Sequence, residues 1–151
     1  MVTMEEQADW AVLALNMYSQ AALTGPRTDS REDRVRLGVL AANAVAQETR
    51  YLPGDQAVHD RRSADGIIGD LLVYVFCLTH EDIEPAALLQ AAEQQRSVPG
   101  ATGTGADSMV AALLDSAEAY GCDVPGMTET AHNYFQELLY EEDQEDAAED
   151  Q

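Results

Sequence analysis

The stretch GIIGDLLVYVFCL, Gly66 to Leu78, decides the fold. It is apolar almost without interruption and carries a single charge, at Asp70. Val73-Tyr74-Val75-Phe76 has the composition of a strand, but the apolar segment runs past strand length in both directions, which favours a helix. The helix is expected to begin near Ser63 or Ala64 and to end at about His80, and being apolar nearly all round it must be covered on most sides. It falls short of the roughly 20 residues that span a bilayer.

Working outward, the preceding segment contains LGVLAANAVA, Leu37 to Ala46, equally apolar and interrupted only by Asn43. Ser30 with Asp33 resembles a capping box at its start, and Pro53-Gly54 ends it after about Tyr51. Before that, Trp10, Leu13, Met17 and Ala21 line one face of a helix from about Met4 to Leu23, stopped by Thr24-Gly25-Pro26. A fourth helix follows from Asp82, with Pro85 tolerated in its first turn. The segment SVPGATGTGAD after Arg96 reads as a flexible Gly-rich loop. Its glycines give only a weak phosphate-loop signal, since no Lys-Ser/Thr follows Gly105 and no strand clearly precedes the loop.

Two further helical faces follow. Met109, Val110, Leu113, Leu114, Ala117 and Tyr120 make one, and Ala131, Tyr134, Phe135, Leu138 and Leu139 the other. They are expected to fold back on each other around Gly121 to Gly126. EEDQEDAAEDQ, residues 141–151, holds seven of the 28 acids and reads as a frayed, solvated tail. The expectation is an all-α bundle of five to six helices: a core over residues 1–97, a Gly-rich loop over 98–106, an αα-hairpin over 107–140 packed on the core, and the acidic tail. The second and third helices would be covered by the others or across a dimer interface.

The charge balance narrows the function. Eight arginines and no lysine oppose 28 acids in 151 residues, a net charge of -20, which excludes a protein that grips nucleic acid through phosphate contacts. Without the tail the body still holds 21 acids against the eight arginines. Three causes fit: adaptation to high salt, a GC-rich coding bias toward arginine, or imitation of a phosphate array that occupies a basic protein. Cys77 and Cys122 have no metal-ligand or disulfide spacing, and His59, His80 and His132 show no mutual ligand spacing. No GxSxG elbow occurs. MVTMEEQADW lacks the basic start of a secretory signal, which points to a cytoplasmic protein. Trp10, Tyr18, Tyr134 and Phe135 read as core residues.

Asp70 and Asn43 are the polar intruders in the two most apolar segments, and a carboxylate there must be paired, hydrogen-bonded, metal-bound or protonated. Arg61 and Arg62, one to two turns earlier, are candidate partners for Asp70, and Asp60 is a loop acid within reach. The run from Asp65 to His80, followed by Glu81-Asp-Ile-Glu-Pro-Ala-Ala-Leu-Leu, resembles the third and fourth helices of the MazG-like all-α nucleotide pyrophosphohydrolases, with their ELGDLL and IDLEEAL patterns. Arg36 to Glu48 resembles the helix that carries EExxE in that family. The resemblance covers roughly Ala8 to Gln95.

The resemblance implies a Mg²⁺ site of four carboxylates, paired at i and i+3 on two facing helices, which activates water against a nucleoside triphosphate. Matched position by position, Asp70 keeps one ligand, Ile67 replaces its partner, and Asn43 and Ala46 replace the two glutamates. Glu48 and Asp65 lie five residues from Asn43 and Asp70, about 140° away on a regular helix. The expectation is therefore a scaffold without its metal site, using Asn43 and Asp70 for nucleotide contact or serving in protein interaction. Two alternatives stay open: an active pyrophosphohydrolase with rearranged ligands, Mg²⁺ and a metal contact at Asp70, or an acidic inhibitor of a basic partner. A homodimer or higher oligomer is expected, and no membrane partner.

Overall fold

The computed structural model describes residues 2–24, 31–97 and 103–149. It is all-helical, with six α-helices in the order α1 (Met4–Thr24), α2 (Arg31–Thr49), α3 (Arg61–Thr79), α4 (Pro85–Ser97), α5 (Ala106–Ala119) and α6 (Val124–Glu149). A short 3₁₀ turn, Pro53–Asp55, lies between α2 and α3. No strand occurs among the described residues, so the valine-rich centre of Gly66 to Leu78 is helical as its length required. No helix among them is long and apolar enough to cross a membrane.

The helix ends follow local chemistry. α3 begins at Arg61, two residues before the expected Ser63, because Asp60 is its N-cap: the Asp60 carboxylate accepts from Ser63 N at 2.8 Å while the Ser63 hydroxyl accepts from Asp60 N at 3.0 Å. The loop acid considered for the site is thus a capping residue. α5 is closed two residues past its end by Gly121, whose φ of 85° is open to glycine. There Cys122 N donates to Ala117 O and Gly121 N to Glu118 O, a Schellman closure. α4 begins at Pro85, three residues later than expected, with proline in its favoured first position. The Ser30 cap of α2 and most of the Gly-rich loop lie outside the described residues. The loop's last part is tied to α1, with the Tyr18 hydroxyl donating to Gly103 O at 3.2 Å and Ser19 to Thr104 O at 2.9 Å.

The central element is α5, not α2. Every residue from Ser108 to Ala117 is buried, whereas α2 keeps an exposed stripe through Arg36, Leu40 and Gln47. The reason is side-chain size. Gly38, Ala41, Ala42 and Ala46 give α2 one face for close approach but little apolar area to bury elsewhere. A Cβ on Gly38 would collide with the Ser116 hydroxyl and the Ala112 carbonyl of α5. Ser116 Oγ lies 2.8 Å from both Val35 O and Ala112 O at this crossing.

The expected hairpin of the last two helices does not form as a mutual pair. α5 packs chiefly on α2 and α4, and α6 crosses to α3. With α5 already covered, the buried apolar residues Met127, Ala131 and Phe135 of α6 face α3 instead, where the Phe135 and Phe76 rings meet edge-on at 6.0 Å. α3 is covered by α1, α5 and α6, and α2 by α1 and α5. The cover that two apolar helices require is thus supplied within one chain. The acidic segment expected to fray continues α6 to Glu149, since no glycine or proline interrupts a run of good helix formers.

Candidate functional site

α1 and the second half of α6 both flank α3, and the gap between them is a groove of about 710 Å³. Its walls carry three aromatic rings: Trp10 from α1, Tyr74 from α3 and Tyr134 from α6. Trp10 and Tyr74 lean together with centroids 5.1 Å apart, and Tyr134 is 52% exposed. Of the four rings read as core from sequence, Tyr18 and Phe135 are buried, but Trp10 and Tyr134 face this groove. Burial pushes the Tyr74 hydroxyl up to about 12, with the Asp70 charge adding to it.

Four carboxylates line the same groove: Glu5, Asp70, Glu141 and Glu142. No cation is among the described lining residues. Glu142 and Glu141 reach it because α6 remains helical beyond Tyr140. Asp70 pairs with Arg50, not with Arg61 or Arg62: Arg50 Nη2 donates to Asp70 Oδ2 at 2.8 Å. Arg50 follows the last turn of α2 and reaches across Gly66, one turn before Asp70 on α3, where a Cβ would stand 3.4 Å from the guanidinium. Arg61 and Arg62 open α3 and are exposed, too far back along the helix to serve. The Asp70 side chain is 57% exposed. The groove walls nevertheless strip part of its hydration and raise its pKa, against the opposing charge and hydrogen bond of Arg50.

The four positions matched to metal ligands go four ways. Ala46 and Ile67 are buried in the core. The Asn43 amide oxygen accepts from Val58 N at 2.8 Å, which ties the α2–α3 connection to α2. Only Asp70 of the four lines the groove. Glu48 and Asp65 are exposed. Among the described residues no three His, Cys, Asp or Glu side chains are gathered so as to hold a metal ion.

A second carboxylate, missed from sequence, is far more buried than Asp70. Asp115 of α5 is 3% exposed and sits between Arg34 of α2 and Arg96 of α4. Arg96 Nε donates to Asp115 Oδ1 at 2.9 Å. Arg34 Nε approaches Oδ2 at 2.8 Å as an ion pair without an aligned N–H. Arg34 also donates to the carbonyls of Gln95 and Arg96 at 3.0 and 3.4 Å, closing the C-terminus of α4. At the rim Glu118 takes Arg31 at 2.6 Å and Arg96, and these guanidiniums hold its carboxyl below the ordinary range. The signal was present in sequence. Asp115 interrupts an apolar run as Asp70 does, and Arg34 stands on the buried stripe of α2 with Leu37, Gly38 and Ala41.

The fold and the groove together define a helical bundle with an acidic, aromatic-walled cleft on one flank. Comparison with family models, curated proteins and solved structures found no match to the chain in any of the three.

Proposed function

We propose that this chain is a non-hydrolytic interaction module that engages a basic protein partner through the groove, on a MazG-like helical scaffold that has lost Mg²⁺-dependent pyrophosphohydrolase activity. The observation that carries this reading is the groove's lining: three aromatic rings among four carboxylates, with no cation in the described wall. Its volume of about 710 Å³ lies within the range of ligand clefts. Aromatic walls alone would also suit a nucleobase. The carboxylates favour the basic partner, because they repel a triphosphate and attract a cation.

What supports the loss of hydrolysis is the occupation of the matched positions. Two are aliphatic and in the core, the Asn43 oxygen holds a backbone N–H, and Asp70 holds an arginine. Mg²⁺ needs several oxygen ligands in octahedral array, which a single paired carboxylate does not supply. The test is incubation with the common NTPs and dNTPs plus Mg²⁺ or Mn²⁺. No monophosphate or pyrophosphate should appear. Turnover that Asp70→Ala abolishes would overturn the reading. The acid excess further suits a protein working in concentrated salt, where screening relieves self-repulsion.

A further inference from the structure

We infer that the occupant of the groove is an arginine side chain from a basic segment of the partner, stacked on the aromatic wall and paired with Asp70; this rests on the interaction reading above. The molecule already shows the ion-pair half of this chemistry once. The Arg50 guanidinium lies on the surface of α3 and bonds Asp70 Oδ2, while Oδ1 has no hydrogen bond among the described residues. A carboxylate with one free oxygen can take a second cation, and the aromatic rings beside it favour a planar guanidinium, which stacks on them, over a lysine ammonium. Tyr74 follows Asp70 by four residues on α3, so its ring lies one turn away on the same face, and Trp10 leans against that ring.

Guanidinium groups stack on such faces by cation–π attraction, which strengthens where the site is partly dehydrated. The raised pKa of Asp70 agrees with partial dehydration, and the geometry of the groove makes the case without it. Tyr134 stands on the opposite wall, and Glu141 and Glu142 beyond it would receive neighbouring cations of the same segment. Charge complementarity names the partner's class: a groove whose described lining carries four carboxylates and no cation, on a chain of net charge -20, selects a cationic peptide over a neutral one. Arg50 then acts as an internal competitor for Asp70.

Trp10 is the single tryptophan, so intrinsic fluorescence reports the groove directly. The probe is a capped, glycine-spaced arginine hexapeptide, with its citrulline counterpart as the uncharged isostere. The arginine peptide should change Trp10 emission saturably, and the citrulline peptide should bind at least about ten-fold more weakly. Asp70→Asn and Tyr134→Ala, both at exposed side chains, should each weaken binding by about five- to ten-fold with the helical circular dichroism unchanged. Arg50→Gln should strengthen it.

Equal binding of the two peptides would overturn the inference. So would arginine-peptide binding indifferent to both variants, which is attraction to bulk charge. Saturable quenching by adenosine without an arginine preference would give the aromatic wall to a base and overturn it equally. The interaction reading fails on a different observation, nucleotide turnover, so the two failures are distinguishable.

Discussion

Asp70 and Asp115 look alike in the sequence and sit in opposite settings in the molecule. Each is a lone acid in an apolar helical run, and each meets arginine. Asp115 is 3% exposed between Arg34 and Arg96, and its ion pairs join α2, α4 and α5. Asp70 is 57% exposed, meets one arginine and opens on the groove. The difference teaches that an acid in an apolar segment signals structure when it is walled in by several cations. Where one cation meets it and solvent reaches it, the same signal marks a group at the surface whose loss the core need not feel.

The largest expected effect breaks the buried side of this comparison. Asp115→Ala leaves the buried Arg34 without its acidic partner and strips Arg96 of its buried one, and losing one partner of a buried pair costs about 3–5 kcal/mol. Urea unfolding followed by circular dichroism should show that loss. Replacing Asp115, Arg34 and Arg96 together by apolar residues of similar volume should recover much of it, because the desolvation of the charges disappears with them.

Gly38→Ala tests the crossing that brings Arg34 to Asp115. Alanine adds about 1 kcal/mol of helix propensity. Its Cβ meets a backbone carbonyl and the Ser116 hydroxyl, so α2 and α5 must separate, and overpacking of this kind costs about 1–3 kcal/mol. The clash with rigid backbone places the cost at the upper end, and the thermal midpoint should fall.

Salt separates the two regions without mutation. Screening acts on solvated charges over about 3 Å at 1 M ionic strength and hardly reaches a buried pair. The exposed acids repel one another, so the melting temperature should rise from low salt to molar KCl. The rise should survive in the Asp115→Ala variant. A melting temperature indifferent to salt would favour coding bias as the source of the arginine-only cation set.

The smallest effect is acid dependence, and its sign differs between the two sites. Glu118, beside Asp115, has its pKa lowered from 4.5, so its contribution is present above that value and lost as pH falls through its lower folded value. Asp70 has its pKa raised from 3.8, so its ionisation lowers stability as pH climbs from that value through the higher folded one. Asp70→Asn should therefore flatten a slight decline in stability with rising pH in that window. Glu118→Gln should reduce the loss seen on acidification.

Much of the fold was legible. Periodicity placed the all-α class and the helices, and Gly, Pro and Thr-rich breaks placed most of their ends. The order of packing was not, because alanine counts as apolar in a pattern yet buries little area. α2 therefore looked more central than α5. The hairpin misled for a related reason: a tight turn at Gly121 fixes where the chain turns but not which partner the next helix finds. At the site, Asp70 could be singled out as a polar intruder. Its partner could not, since Arg50 lies past the end of another helix and is brought near by tertiary packing. Asn43 could be found, but its bond to Val58 N depends on the path of a loop. Trp10, Tyr134, Glu141 and Glu142 meet only because α1 and α6 flank α3, a juxtaposition no local pattern encodes.

The most direct test of the contrast is urea unfolding of Asp70→Asn beside Asp115→Ala at neutral pH. An exposed pair is worth about 0–1 kcal/mol, so Asp70→Asn should unfold within about 1 kcal/mol of the parent while Asp115→Ala falls by several. Equal losses in the two variants, or a larger one at Asp70, would make Asp70 a structural residue and contradict the account.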